Sequence, residues 1–265
     1  MIKEKIHNHT FSIVAYKTSP FLEECIESLL NQTLKSKIII CTSTYSINME
    51  KIAEKYKIKV HINHRKENIV SDWNYALNEA NTPFVTLVHQ DDIYHPEFLE
   101  KTMSRLSQGN LITFTNYVEQ SGPIIQSSKL ILVKSLLLLP FLFNNTIKSN
   151  FCKRSMLLFG NPICCPTVTY NMDKLRNFRF DERFTNNMDW NAWLELAERK
   201  GSFVYIMEKL LIHRIHKDSV TSQSIKNKEK IIEDRQIFNK LWFYPLNIIF
   251  SKIYASSYSR YYYQK

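Results

Sequence analysis

The sequence predicts an α/β protein: a mostly parallel sheet with helices on both faces, followed by a helical C-terminal extension. Two observations carry this. Short apolar or β-branched runs alternate with segments of helical periodicity through the first 115 residues, which is the pattern of βαβ units. The chain has 265 residues, 44% hydrophobic and 23% charged. These are globular values, and the length suffices to bury a core without a disulfide or metal staple.

Residues 11–15 form the first apolar run. Ser19 then predicts a helix cap, with Pro20 at the first helical position and Glu23 and Glu24 in the first turn. Phe21, Leu22, Cys25, Ile26, Leu29 and Leu30 share one face of that helix. Residues 37–41 read as a strand, 48–56 as a polar helix and 58–62 as a strand. Residues 69–80 read as a helix that places Trp73, Ala76, Leu77 and Ala80 together. A fourth strand over 83–88, a helix over 96–106 and a fifth strand over 111–115 complete the alternation. The second half is less regular. It holds a Leu-rich stretch over 130–143, an irregular loop over 159–166 and a helix over 189–200. Strands follow over 203–206 and 210–213, then an amphipathic helix over 225–241. Ligands of such sheets sit at the carboxyl ends of strands.

Composition removes several functions. The only glycines are Gly109, Gly122, Gly160 and Gly201, so neither a P-loop nor a dinucleotide fingerprint exists. A nucleotide must be held without a glycine cradle, through a metal. The net charge of +10 suits phosphorylated ligands or anionic lipid. No recognition helix or RNA motif is visible, so nucleic acid is not expected as a partner. Five cysteines without a CxxC pair and an N-terminus without an apolar signal core fit a cytoplasmic protein. The stretch over 130–143 is interrupted by Lys134 and Pro140 and is shorter than the roughly 20 residues of a span. It reads as a buried or interfacial helix. Residues 242–250 are aromatic and apolar. Tyr254, Tyr258, Tyr261, Tyr262 and Tyr263 follow beside Arg260 and Lys265. This tail either packs on its own domain or meets an anionic inner membrane face as a peripheral element. As a membrane element, a chain ending near Leu241 would keep its ligand site.

Three clusters carry chemistry. The fourth strand runs into Val88-His89-Gln90-Asp91-Asp92, and two carboxylates at the end of a buried strand suit Mn²⁺ or Mg²⁺ bridging a diphosphate. His213-Arg214-Ile215-His216-Lys217 offers two imidazoles for one metal and cations for phosphate. Asp189 opens a helix, where the dipole favours its charged form. That suits a base or a plain cap.

Taken in order, these pieces resemble glycosyltransferase family 2. The likeness runs from Phe11 to Lys17 and from Phe21 to Thr33, then through Asp72-Trp73-Asn74 and the strand into Gln90-Asp91-Asp92. It resumes at Gly160-Asn161-Pro162-Ile163, at Met188-Asp189-Trp190, and at His213-Arg214-Ile215-His216 with Ser219. The resemblance implies a GT-A fold, whose central sheet is Rossmann-like. It implies an inverting sugar transfer from a nucleotide-sugar, with Mn²⁺ or Mg²⁺ as cofactor. Asp91, Asp92 and His216 would hold the metal, and Asp189 would be the catalytic base. Ala15, Tyr16, Thr42, Asp72, Asn74, His89, Gln90 and Arg214 would face the donor. Gly160, Asn161, Pro162 and Trp190 would face the acceptor, a polysaccharide or lipid-linked glycan. Residues 1–222 would form the catalytic domain, with a nucleotide-sugar half over about 1–118 and an acceptor half over about 119–222. Residues 223–265 would be the extension. The chain departs from the family at His89, where the DxD motif begins with Asp. It departs at Cys41-Thr42-Ser43-Thr44, where Asp-Asp-Gly-Ser is usual, and at Met188, where Glu precedes the base. Rival readings are a metal-dependent nucleotidyltransferase, which lacks its Gly-rich loop here, and a non-catalytic basic binding module.

Overall fold

The computed structural model of the protein describes residues 8–65, 68–126, 129–216, 224, 228–256 and 258. Ten strands form one sheet: β1 (His9–Val14), β2 (Lys37–Thr42), β3 (Lys59–Ile62), β4 (Phe84–His89), β5 (Ile93–Tyr94), β6 (Asn110–Ser121), β7 (Ile124–Gln126), β8 (Thr146–Ile147), β9 (Val168–Asn171) and β10 (Ser202–Ile215). The order across the sheet is β3-β2-β1-β4-β9-β6-β10-β5, with β7 on β6 and β8 on β10. β1 to β4 are parallel, β9 runs antiparallel between β4 and β6, and β10 is parallel to β6. The carboxyl ends of β1, β4, β6 and β10 therefore share one edge of the sheet. From β1 the chain builds outward to β2 and β3, then crosses to place β4 on the other side of β1. The crevice for a ligand opens at that reversal.

Helices α1 (Leu22–Leu30), α2 (Ile47–Lys55), α3 (Ile69–Glu79) and α4 (Phe98–Arg105) separate the strands of the first half. Two buried clusters occupy the two faces of the sheet, and strand alternation assigns residues to them. Ile39, Cys41, Val85 and Leu87 join Trp73, Ala76 and Leu77 of α3 on one face. Ile40, Val88, Phe11 and Ile13 join α1 and α4 on the other. The mostly parallel sheet covered on both faces is as the sequence predicts.

Several boundaries differ for identifiable reasons. Ser19 does not cap α1; its hydroxyl accepts the Phe21 N–H and α1 begins at Leu22. The helix expected over 96–106 is α4, shorter at both ends, and β5 forms just ahead of it against β10. The fifth strand extends past Thr115 to Ser121. The two strands expected over 203–213 are one, β10, with register shifts between Ile206 and Ile212 that bulge Met207 and Glu208 outward. β9 falls where no strand is expected, because its four residues sit between a Cys-Pro turn and an Asn-Met turn.

In the second half, α5 (Lys129–Leu137) and a 3-10 turn beginning near Pro140 divide the Leu-rich stretch, and α6 (Asn150–Ser155) follows. No described helix is long and apolar enough to cross a membrane. α7 (Met188–Ala197) stops before the expected Lys200. The carbonyls just past its end are held from α6: Asn150 donates to the Glu198 carbonyl, and the buried Lys153 ammonium donates to the carbonyls of Arg199 and Gly201. Gly201 has φ +137°, and a Cβ there would lie 2.7 Å from Leu111. Only glycine fits that turn into β10. α8 (Glu229–Leu241) and α9 (Leu246–Ser256) form the extension. The expected start of α8 near Ile225, together with Lys217, Ser219, Arg260, Tyr261, Tyr262, Tyr263 and Lys265, lies outside the described residues.

The extension packs on the domain. Phe238 and Tyr254 meet Trp190 at ring distances of 5.4 and 5.3 Å, and Trp242 donates to the Leu158 carbonyl at 2.9 Å. Tyr254 also presses on Gly160, where a Cβ would lie 2.8 Å from the ring.

Candidate active site

A cleft of about 970 Å³ opens at the carboxyl edge of the sheet. Its floor is the turn after β4, in which the Asp92 N–H donates to the His89 carbonyl at 3.3 Å. That turn directs His89, Asp91 and Asp92 to one place, where one ligand atom from each lies within 4.8 Å of the others. Asp92 is fully buried. Its Oδ1 receives the Arg214 N–H at 3.1 Å and meets His213 Nδ1 at 2.9 Å. Burial works against a charged His213, yet the adjoining Asp92 and Asp91 carboxylates outweigh it and bring His213 up to about 9. Asp91 Oδ2 meets His216 Nε2 at 2.9 Å. Burial would raise the Asp91 carboxyl, but the His216 hydrogen bond and the neighbouring histidines hold it below the ordinary range.

The end of β10 thus supplies both histidines, but each to a different carboxylate. Arg214, between them, donates from Nη2 to Glu24 at 2.7 Å and stacks 4.3 Å over the Phe21 ring. Seven buried side-chain atoms lack a hydrogen-bond partner among the described residues. Three of them, His89 Nε2, Asp92 Oδ2 and Arg214 Nη1, belong to this floor. Orphaned buried polar atoms are rare in folded proteins and need a reason. Their clustering makes this floor the candidate ligand site.

Asp189 lies across the cleft in the first turn of α7. Trp190 N–H donates to its Oδ1 and Asn161 Nδ2 to its Oδ2, both at 2.7 Å. The helix dipole favours the charged form of this carboxylate. Burial works the other way and raises it above the ordinary carboxylate value, against the opposing pull of Lys230, the Trp190 N–H, Lys134 and Asn161.

The remaining expectations divide. Tyr16, Asp72, His89, Gln90, Asn161 and Arg214 line the cleft. Tyr16 and Gln90 clasp each other, backbone N–H to Oε1 at 3.1 Å and Nε2 to backbone carbonyl at 3.0 Å, tying the chain after β1 to the chain after β4. Asp72 is held by Ser43 Oγ at 2.6 Å and Asn63 Nδ2 at 2.8 Å. That network occupies the strand end where the departing Cys41-Thr42-Ser43-Thr44 lies. Ala15 and Thr42 are fully buried and do not line the cleft. Asn74 spends its amide on the backbone of Phe180 in both directions, at 2.8 and 3.0 Å. Gly160 and Pro162 stand behind the lining, Gly160 under Tyr254. Trp190 is entirely buried against Phe238 and Tyr254, with its indole N–H on the Leu157 carbonyl. Its ring belongs to the core and cannot touch a ligand. Helical periodicity sets Trp190 on one apolar face with Trp193, Leu194 and Ala197, and the structure buries that face; the acceptor role rests on the family resemblance alone.

Tyr117, Glu119, Lys134, Lys230, Tyr254 and Tyr258 also line the cleft, and sequence reasoning passed over them. Lys134 was visible as the lone cation in an apolar run; here its ammonium reaches Tyr117 Oη at 3.1 Å. Tyr254 and Tyr258 make the extension part of the cleft wall. A chain ending near Leu241 is therefore expected to lose that wall as well, contrary to the sequence expectation.

Comparison with known proteins gives three findings. The model of glycosyl transferase family 2 matches residues 10–178. The GalNAc(5)-diNAcBac-PP-undecaprenol beta-1,3-glucosyltransferase of Campylobacter jejuni is 26% identical over 231 residues, covering 83% of this chain and 69% of that one. Two solved structures share the fold. S. aureus TarS 1–349 in complex with UDP-GlcNAc has a TM-score of 0.62 at 15% identity, covering 87% of this chain and 65% of that one. The mannosyltransferase PcManGT of Pyrobaculum calidifontis, in complex with GDP-Man and Mn²⁺, has a TM-score of 0.62 at 11% identity, covering 95% and 69%. The chain thus spans about two thirds of the length of these proteins.

Proposed function

The chain belongs to glycosyltransferase family 2, and from that membership we propose that it moves one sugar, with inversion, from a nucleotide-diphosphate sugar to an acceptor hydroxyl. The observation that carries this reading is the meeting of Asp91 and His216, 125 positions apart in the chain, at 2.9 Å on the cleft floor. Asp91, Asp92 and His216 are the residues that would hold Mn²⁺ or Mg²⁺. The orphaned Asp92 Oδ2 fits a cation, and the carboxylate and imidazole donors suit Mn²⁺. When bound, the metal supplies a Lewis acid for charge on the departing diphosphate.

The protein's own groups do the rest. Arg214, rigid between Glu24 and Phe21, turns its free Nη1 to the diphosphate. Asp72 and Tyr16 face the nucleoside, with Gln90 fixing Tyr16. Asp189 accepts the acceptor hydroxyl proton as the new C–O bond forms and the bond to the diphosphate breaks on the opposite face. Asn161 and the Trp190 N–H fix that carboxylate in place. A cell-surface polysaccharide or lipid-linked glycan is the acceptor class, a reading supported by the Campylobacter relative's undecaprenol-linked substrate. Residues 1–222 act as the catalytic domain and 223–265 as its extension. A screen of nucleotide-sugars with Mn²⁺ tests this directly. A donor at 100 times its dissociation constant adds about 2.7 kcal/mol of stability, visible as a raised melting temperature. No response from any nucleotide-sugar refutes the reading.

We also propose that the extension docks the enzyme on an anionic membrane from the cytoplasmic side. Phe243 and Tyr244 are 72% and 75% exposed, beside the exposed Ile249 and Ile253 of α9, on a chain of net charge +10. Burying a large apolar side chain is worth about 1.5–3 kcal/mol. The double substitution Phe243→Ser, Tyr244→Ser is expected to weaken binding to phosphatidylglycerol vesicles by at least about tenfold without lowering the melting temperature. Equal flotation of both proteins would reduce the patch to ordinary surface.

A further inference from the structure

Asp189 sits in the first turn of a helix that does not cap itself. Asn187, the residue that opens α7, makes no side-chain bond to that helix. Its side chain turns to α8 instead: Nδ2 donates to Asp234 Oδ1 at 2.8 Å, and Oδ1 accepts the Lys230 ammonium at 2.7 Å. The segment leading into α7 is tied to the same helix through Glu233. Glu233 Oε1 accepts the Thr185 N–H at 2.9 Å, the Thr185 hydroxyl at 2.8 Å and Asn186 Nδ2 at 3.1 Å. Its Oε2 accepts the N–H groups of Asn186 and Asn187, both at 2.8 Å. Hydrogen bonds to a charged acceptor are stronger than neutral ones, and here they converge on one buried carboxylate. They hold Glu233 below the ordinary carboxylate range against the effect of burial. Thr185, Asn186, Met188 and Asp189 line the cleft, and Glu233 does not. Glu233 therefore acts on the segment and not on a ligand.

We propose that Glu233 is a positioning residue for the transfer: from the C-terminal extension it fixes the backbone of Thr185, Asn186 and Asn187, and through them the place of the Asp189 carboxylate in the cleft. The inference rests on Asp189 acting as the base and deepens that role. Asp189 follows Asn187 by two residues, so the segment cannot shift without carrying the carboxylate with it. The chemistry requires a group that only accepts, and an ionised carboxylate is one. A glutamine of the same shape turns an amide NH₂ toward N–H donors at one end and leaves buried donors unpaired. A base displaced by about 1 Å loses about 10²-fold in rate.

The test is a double-substitution cycle in the full chain. The probe is the nucleotide-sugar that raises the melting temperature in the screen above, with water as acceptor and release of the nucleotide diphosphate as the readout. Glu233→Gln is expected to lower kcat by about 10²-fold and to leave the KM for the donor within about twofold. On the Asp189→Asn background the same change should cost less than about threefold, because misplacing a base has no effect once the base is gone. A residue that merely stabilises the fold would lower the melting temperature and leave kcat intact well below it. Glu233→Asp keeps the charge on a shorter arm. It carries the same cycle, with a loss of about tenfold expected, where the Gln variant does not fold. Equal losses on both backgrounds, or near-normal kcat in a folded Glu233→Gln protein, would overturn the role of Glu233 and leave the base standing. Near-normal kcat in Asp189→Asn would overturn the base itself.

Discussion

Asp189→Asn is expected to lower kcat by about 10²–10⁴, the usual worth of a general base, and to leave the KM for the donor nearly unchanged. The split follows from the geometry. Asp189, Asp91 and His216 line one cleft, and in the proposed reading Asp189 meets the acceptor while Asp91 and His216 meet the diphosphate. The contribution of Asp189 appears only as the proton moves, and such losses fall on kcat. The fold should tolerate the change. The Asn Oδ1 still accepts the Trp190 N–H, and what is lost is one hydrogen bond with Asn161, about 1 kcal/mol. The pH profile supplies a second readout. Burial raises the Asp189 carboxyl, and a base must be ionised to accept a proton. Wild-type kcat should therefore fall as pH drops through that raised value, above the ordinary carboxylate pKa of about 3.9. The Asn variant should lack this acid limb. A variant with near-normal turnover and an unchanged profile would reduce Asp189 to a residue that orders the start of α7.

Asp91→Asn should remove the dependence of UDP or GDP binding on Mn²⁺. The substitution keeps volume, strips one charge from the floor and leaves His216 facing an amide. Loss of partners merely surrounding a metal costs about 10–100-fold in affinity, so removing a direct ligand should cost at least about 100-fold. Calorimetric titration of the nucleotide diphosphate with and without Mn²⁺ measures it. If the wild-type isotherms already agree, the metal assignment to Asp91 and His216 is wrong.

The reason parts of this molecule were legible lies in the range of the forces. β1 to β4 and the helices between them follow from local periodicity, because β1, β2 and β4 are mostly buried, β3 is a β-branched run at the sheet edge and each helix shows one apolar stripe. The Asp91-Asp92 pair was legible because it ends a buried strand, and carboxylates there are costly without a cation. β9 was not legible: its four residues are a strand only because β4 and β6 present edges on either side. β5 likewise exists only through two residues of β10. The wall formed by Tyr254, Tyr258 and Lys230 was hidden for the same reason, since contact with the cleft comes from the return of α8 and α9 over α7. Trp190 and Asn74 were misassigned because a family resemblance carries a role by position and cannot tell a ring or amide spent on the core from one offered to a ligand.

The pairing of β10 with β6 and β5 has a consequence for the order in which the protein matures. Asp92 and Arg214 are 122 positions apart, and Asp91 and His216 are 125. Contacts of such separation form late, after the local βαβ units, because a long loop must be closed before they repay its entropy. The first four strands, whose β1–β4 pairing spans 75 positions (Ser12 to Leu87), are therefore expected to form before the floor of the cleft. Nucleotide and metal can act only on the finished sheet, drawing the equilibrium toward the state in which β10 is seated. In hydrogen-exchange terms, ligand should slow the amides of β6 and β10 together, while those of β2 and β3 respond least. β10 is then the strand through which a bound nucleotide is expected to stabilise the sheet.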